Sequence, residues 1–195
     1  MSPSRFWCAS RSTASGLTSR VLDFGAAGVI CPMVNTKADA QALVAYTKFP
    51  PVGSRSWGPR RALPISGLTA SDYLTKANEL IVTFAMIETR QALDNLDDIL
   101  GTNGIDGVFV GPMDLSVSLT NGKALDSPSV TEAIRDVADK ANAHGKLAGI
   151  FATSAKLAID YSKLGFTFVG LMQEAMFMTA GANAAVNEVR SGTQG

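Results

Sequence analysis

Apolar and polar residues follow two rhythms along this chain. Short apolar runs rich in β-branched residues occupy 26–34 (AAGVICPMV), 80–87 (LIVTFAMI), 105–111 (IDGVFVG), 146–151 (KLAGIF) and 166–171 (FTFVGL). They lack polar alternation, as strands buried on both faces do. Between them lie stretches with helical spacing. Thr36 can cap a helix carrying Asp39 in its first turn and Ala38, Leu43, Val44 and Tyr46 as apolar positions. Residues 90–100 place Leu93, Leu96, Ile99 and Leu100 on one face, with Asp94, Asp97 and Asp98 off it and Gly101 at the stop. Ser127 and Pro128 open another helix, striped by Val130, Ile134, Val137 and Ala141 and ended by Gly145. Ser154 caps the next, with Leu157, Ala158, Tyr161 and Leu164 inward and Gly165 at its end; a last helix runs from about Glu174 to Arg190.

Strands that alternate with helices in this way predict an α/β fold with a parallel sheet. Two architectures compete, an open doubly wound sheet and a (β/α)₈ barrel. The dinucleotide fingerprint GxGxxG follows none of the strands. The glycines of GTNGIDG (101–107) precede a strand instead of opening a helix and are expected to form a turn.

Composition narrows the function classes. The 195 residues are 46% hydrophobic, with 17 basic against 17 acidic side chains, enough for one domain with a sizeable core. No basic stripe suits nucleic acid, and no run of about eighteen apolar residues suits a membrane. Two cysteines, Cys8 and Cys31, and a single histidine, His144, do not assemble a Cys/His zinc site. A reducing, cytoplasmic compartment is the simple expectation. The start differs from the rest: it is Ser-rich, carries Arg5, Arg11 and Arg20, and has no acid before Asp23. Residues 1–18 are therefore expected to be an irregular or a targeting (mitochondrial) segment ahead of a domain over 19–195.

The acids suggest chemistry. Glu88 stands where the second run stops, and Asp114 stands 26 positions later, just past the end of the third. Acids at the same end of neighbouring parallel strands meet at one mouth, the C-terminal rim where α/β barrels work. Two such carboxylates repel unless a cation lies between them, and a hard divalent ion suits them. Either acid alone has a second account, since helix N-termini favour carboxylates. Upstream, the Pro/Gly-rich loop 48–62 holds Arg55, Arg60 and Arg61. Arg55 on a stiff loop suits a carboxylate or enolate oxygen; Arg60 and Arg61 read as a solvated turn.

These motifs have a family look. GAAGVICPMVNTKADA, YTKFPPVGSRSWG, MIET and IDGVFVGPMDLS resemble the HpcH/HpaI aldolase family, relatives of macrophomate synthase and of citrate lyase β subunits, over about residues 19–190. The resemblance implies a TIM (β/α)₈ barrel and a metal-dependent class II aldolase. It implies that Glu88 and Asp114 ligate the metal, Mg²⁺ first with Mn²⁺ or Co²⁺ as alternatives. It implies that Arg55 steadies the oxyanion and contacts substrate, that backbone N–H groups around Met113 and Asp114 hold the substrate carboxylate, and that Gly111 and Pro112 line the same substrate site. Partners would be a small 2-oxoacid and further copies of the chain in a homo-oligomer, with the C-terminal segment 174–186 as a subunit contact or, by preference, a core helix.

Departures accompany the likeness. Met86 stands where the family often has Gln, and Ser56 follows Arg55 where the family has Gly. The family's general base is a His on an early loop that this chain does not show, so an N-terminally incomplete barrel of about five strands is expected. His144, at a helix end before a strand, belongs to the opposite face. A Schiff-base lysine is disfavoured: Lys146 begins its strand and Lys48 sits in a turn. The expected reaction is cleavage of 2-oxo-hydroxy acids, dicarboxylates in particular, to pyruvate and an aldehyde. A citryl- or malyl-CoA type lyase and an inactive family member are the alternatives.

Overall fold

A computed structural model describes residues 7–9, 15–122 and 127–193. In chain order the elements are β1 (Trp7–Ala9), α1 (Ser15–Asp23), β2 (Gly28–Cys31), α2 (Lys37–Thr47), α3 (Ala62–Ser66), α4 (Ala70–Leu80), β3 (Val82–Ile87), α5 (Arg90–Asp94), α6 (Leu96–Leu100), β4 (Gly107–Val110), α7 (Pro112–Thr120), α8 (Pro128–Ala143), β5 (Leu147–Ala152), α9 (Ala155–Lys163), β6 (Phe168–Leu171) and α10 (Glu174–Gly192). All five expected strands are present. A sixth, Trp7–Ala9, pairs with β2 and lies inside the segment expected to be irregular; most of the remainder of that segment lies outside the described residues.

The six strands are parallel and ordered β1-β2-β3-β4-β5-β6, each beside its successor. Alternate residues face opposite ways. Ala85, Ile87, Val108, Val110, Ala148 and Ile150 join Leu96, Ile99, Leu100, Leu115, Val130 and Ile134 in the main core beneath the helices. The other face carries Phe84, Phe109 and Phe168. Phe84 on β3 and Phe168 on β6 stack with centroids 5.2 Å apart. A flat sheet would hold strands three places apart at about 14 Å, so this sheet curls strongly, with the phenylalanines on its concave side.

The register explains how the rings fit. Phe84 pairs with Gly107, Phe109 with Gly149, Gly149 with Phe168, and Phe151 with Gly170. A Cβ on Gly107 would come within 2.6 Å of the Phe84 ring, and one on Gly149 within 2.7 Å of Phe109. Each ring lies in the space its neighbour's missing side chain leaves. This fills the barrel interior as a packed layer.

Most caps fall where the sequence puts them. Thr36 and Asp39 form a capping box on α2, and Ser127 and Ser154 cap α8 and α9. The expected single helix 90–100 is instead two, broken at Asn95, whose side-chain amide donates to the carbonyls of Asn35 (3.0 Å) and Gln91 (2.9 Å). Gly101 follows in a right-handed conformation (φ −73°), so no left-handed stop is needed there.

At the opposite rim the Lys48 ammonium is buried. It donates to the carbonyls of Asn78 (2.8 Å) and Ile81 (2.5 Å) and to Asp106 Oδ2 (2.6 Å), which also accepts from the Thr83 N–H. All its donors are satisfied, as a buried charge requires. This pins α2 to the starts of β3 and β4.

The core-helix expectation for 174–186 is corrected. Every described residue of α10 is exposed, including Phe177 (49%) and Met178 (73%), so it packs on nothing within the described chain. Among the described residues no helix is long and apolar enough to cross a membrane.

Candidate active site

Glu88 directly follows β3 and is buried, where carboxylates rarely stand without a partner. The strand run MI places Ile87 in the outer core, so the next residue turns to the concave mouth. Glu88 Oε1 accepts the Met33 backbone N–H at 2.7 Å. Met33 sits in the loop after β2 with a left-handed backbone (φ 58°), a conformation that non-glycine residues adopt at a cost. The same loop is tied to the start of α5: Thr89 Oγ1 donates to Asn35 Oδ1, and the Asn35 N–H donates to Asp39 Oδ2 at 3.1 Å. This backbone donor and clamp are invisible in sequence, since nothing local marks Met33 for positive φ.

Asp114 stands in the first turn of α7, which Pro112 opens. Ser118, one turn further on the same face, accepts the Arg90 N–H at 2.9 Å, docking that face of α7 against the segment that carries Glu88. At Gly111, the N-cap of α7, an added Cβ would meet Glu88 Oε2 at 3.3 Å and the Met86 methyl at 3.4 Å. Burial pushes the Glu88 carboxyl above its usual range; the Met33 bond opposes this, and the negative charge of Asp114 adds to it. The two carboxylates are therefore electrostatically coupled at one mouth. The first-turn N–H groups of Met113 and Asp114 have no acceptor within their helix, as at any helix start.

The donors fit a hard divalent cation. One Glu88 oxygen is held by a backbone N–H, the other lies beside Gly111, and Asp114 stands in the helix turn that follows. Among the described residues no three His, Cys, Asp or Glu side chains gather at one place, and two carboxylates are what Glu88 and Asp114 would offer. That number suits Mg²⁺, which keeps positions for water and substrate oxygens.

The structure does not bring Arg55 to this mouth, and the expectation of an oxyanion role is corrected. Its buried guanidinium pairs with Asp23 at 2.5 Å and lies 4.6 Å from the centre of the Phe49 ring. Asp23 ends α1, ahead of β2, on the rim opposite Glu88. The arginine fulfils a structural need there, since a buried cation requires its counter-ion. His144 caps α8 and bonds through Nε2 to Asp97 Oδ1 (3.2 Å), also away from the acids.

A curled parallel sheet with acids at the C-terminal ends of adjacent strands is the layout of α/β-barrel enzymes. The chain belongs to the HpcH/HpaI aldolase/citrate lyase family, whose model matches residues 9–179. A hydroxypyruvate/pyruvate aldolase of Rhizorhabdus wittichii is 42% identical over 174 residues, covering 88% of this chain and 68% of that protein. A 4-hydroxy-2-oxo-heptane-1,7-dioate aldolase of Klebsiella pneumoniae is 36% identical over 165 residues, covering 85% of this chain and 62% of that one. A family structure from Burkholderia cenocepacia J2315 superposes with a TM-score of 0.81 at 30% identity, over 93% of this chain and 73% of that chain. Macrophomate synthase shares the fold (TM-score 0.77, 20% identity, 95% and 66% covered).

Proposed function

We propose that this chain is a class II carbon–carbon lyase that releases pyruvate from 2-oxo-4-hydroxy acids at the Glu88–Asp114 mouth. The observation that carries this is a buried Glu88 at the end of β3, its Oε2 beside Gly111 at the start of the helix whose first turn holds Asp114. Both would hold a divalent cation, Mg²⁺ in the first instance. When bound, the cation would draw charge from the 2-oxo group and stabilise the pyruvate enolate that is left when the C3–C4 bond breaks and the 4-hydroxyl gives up its proton to become the aldehyde. The same enolate forms when pyruvate loses a methyl proton. Met33 holds Glu88 in place through its N–H, so that the carboxylate need not reorganise. The N–H groups of Met113 and Asp114 receive the substrate carboxylate at the start of α7. Beneath them Met86 and the Phe84–Phe109–Phe168 layer give the mouth an apolar floor.

The likeness to proteins named as 2-oxoacid aldolases supports the same reading. We assign α10 to self-association, since its exposed Met176, Phe177 and Met178 suit burial against another copy.

Exchange of the pyruvate methyl protons with deuterated water, followed by NMR with and without Mg²⁺, tests the proposal. Metal-dependent exchange that disappears in Glu88→Gln is expected. Metal-dependent thermal stabilisation without exchange would leave a pocket that does not catalyse, and neither response would end the proposal.

A further inference from the structure

Three methionines are neighbours of the acid pair, by backbone contact, by side-chain contact or along the chain. Met33, whose N–H holds Glu88, is 50% exposed, and Met113, beside Asp114, is 57% exposed. The Met86 methyl lies 3.4 Å from the Cβ position of Gly111, alongside Glu88 Oε2 at 3.3 Å. Below Met86 on the same strand face, Phe84 meets Phe109 at 6.3 Å. Large apolar side chains left half open beside a buried acid are places where a ligand's own carbon chain gains from contact. Thioethers are unbranched and polarisable, so they adapt to varied chains without demanding one shape.

Among the described residues, three cations are engaged elsewhere. Arg55 pairs with Asp23. Lys37 pairs with Asp98 at 3.5 Å. Arg90, two residues past Glu88, lines an outer groove with Asp94, Glu132 and Asp136. None of these three is placed to receive a second carboxylate on the ligand.

We infer that Met33, Met86 and Met113 form the subsite for the part of the substrate beyond C3, and that it selects uncharged, apolar tails over carboxylate tails. This rests on the proposed 2-oxoacid site and names the substrate class for it: 2-oxo-4-hydroxy monocarboxylic acids, formed from and cleaved to apolar aldehydes. Met86 is central, because a glutamine there would offer a polar amide to the same atoms.

The test is Mg²⁺-dependent binding by calorimetry, which needs no turnover. The ligands are pyruvate, 2-oxohexanoate and 2-oxoglutarate. The full chain is expected to bind 2-oxohexanoate about tenfold tighter than 2-oxoglutarate. Met86→Gln and, separately, Met33→Gln are expected to bring that ratio towards one. Equal or tighter binding of 2-oxoglutarate overturns the inference while leaving the site intact. A ratio unmoved in both variants overturns the methionine assignment. If no 2-oxoacid binds with Mg²⁺, the site itself fails and the inference falls with it.

Discussion

The Met33 backbone N–H donates to Glu88 Oε1 over 2.7 Å, joining residues 55 apart in sequence. It makes the loop after β2 a support for the acid that ends β3. Glu88→Gln keeps that bond and removes the charge that burial and Asp114 oppose. The metal-free variant is therefore expected to melt higher than the parent at neutral pH, while its stabilisation by Mg²⁺ disappears. Thermal scans with and without Mg²⁺ read both effects. A parent-like response to the ion would remove Glu88 from the ligand set.

pH should act through the same carboxyl. Its folded pKa lies above the ordinary glutamate value, so between the two the folded state binds more protons than the unfolded one. The stability this contributes is present at low pH and lost as pH rises through the folded pKa. Cation binding requires the ionised form and runs the other way. Mg²⁺ affinity is expected to weaken as pH falls, beginning above the range of a free glutamate. Titration calorimetry in pH steps checks this, and a flat profile down to the ordinary glutamate range would contradict it.

Two glycines at the opposite ends of β4 separate function from folding. Gly111→Ala would put a methyl 3.3 Å from Glu88 Oε2 and 3.4 Å from the Met86 methyl, both side-chain atoms that can give slightly. It is expected to weaken Mg²⁺ binding with little change in melting temperature. Gly107→Ala would put its methyl 2.4 Å from the Leu147 carbonyl oxygen, which is backbone and cannot move cheaply. It should cost about 1–3 kcal/mol or prevent folding. Circular dichroism melts of both variants decide the contrast.

Asp106→Asn leaves the buried Lys48 ammonium with carbonyl acceptors and no counter-charge. Because Asp106 keeps partial exposure, the expected loss is about 2–3 kcal/mol, the lower part of what breaking a buried pair costs. Lys48→Met in the same background should recover part of it, as measured by urea unfolding. An additive pair of changes would show that the two do not interact.

Phe177→Ser removes an apolar ring from the open face of α10. If that helix joins copies, sedimentation should show a lower mass at equal concentration with unchanged secondary structure. Unchanged mass would free α10 from this role.

The fold was largely legible because its strands are buried on both faces and so stand out as unbroken apolar runs, and because Thr36, Ser127 and Ser154 cap helices by local rules. What stayed hidden depends on distant partners. The break at Asn95 answers to the Asn35 carbonyl, 60 residues away. Arg55 looked catalytic on its stiff loop, but Asp23, 32 residues earlier, claims it. The α10 residues have a core composition, and composition cannot say whether a neighbour covers them. Of the candidate site, the placement of Glu88 and Asp114 just past strand ends was legible; the Met33 donor was not, because a left-handed backbone leaves no mark on a methionine.

The pairing of rings with bare Cα atoms across adjacent strands has an evolutionary consequence. Shrinking Phe84 alone would open a void, and adding a side chain at Gly107 alone would collide with the ring. Drift on the concave face is therefore confined to coordinated double exchanges, bulk passing from one strand to the next. Homologous chains should show these columns varying jointly, with large and absent side chains trading places and their combined volume conserved.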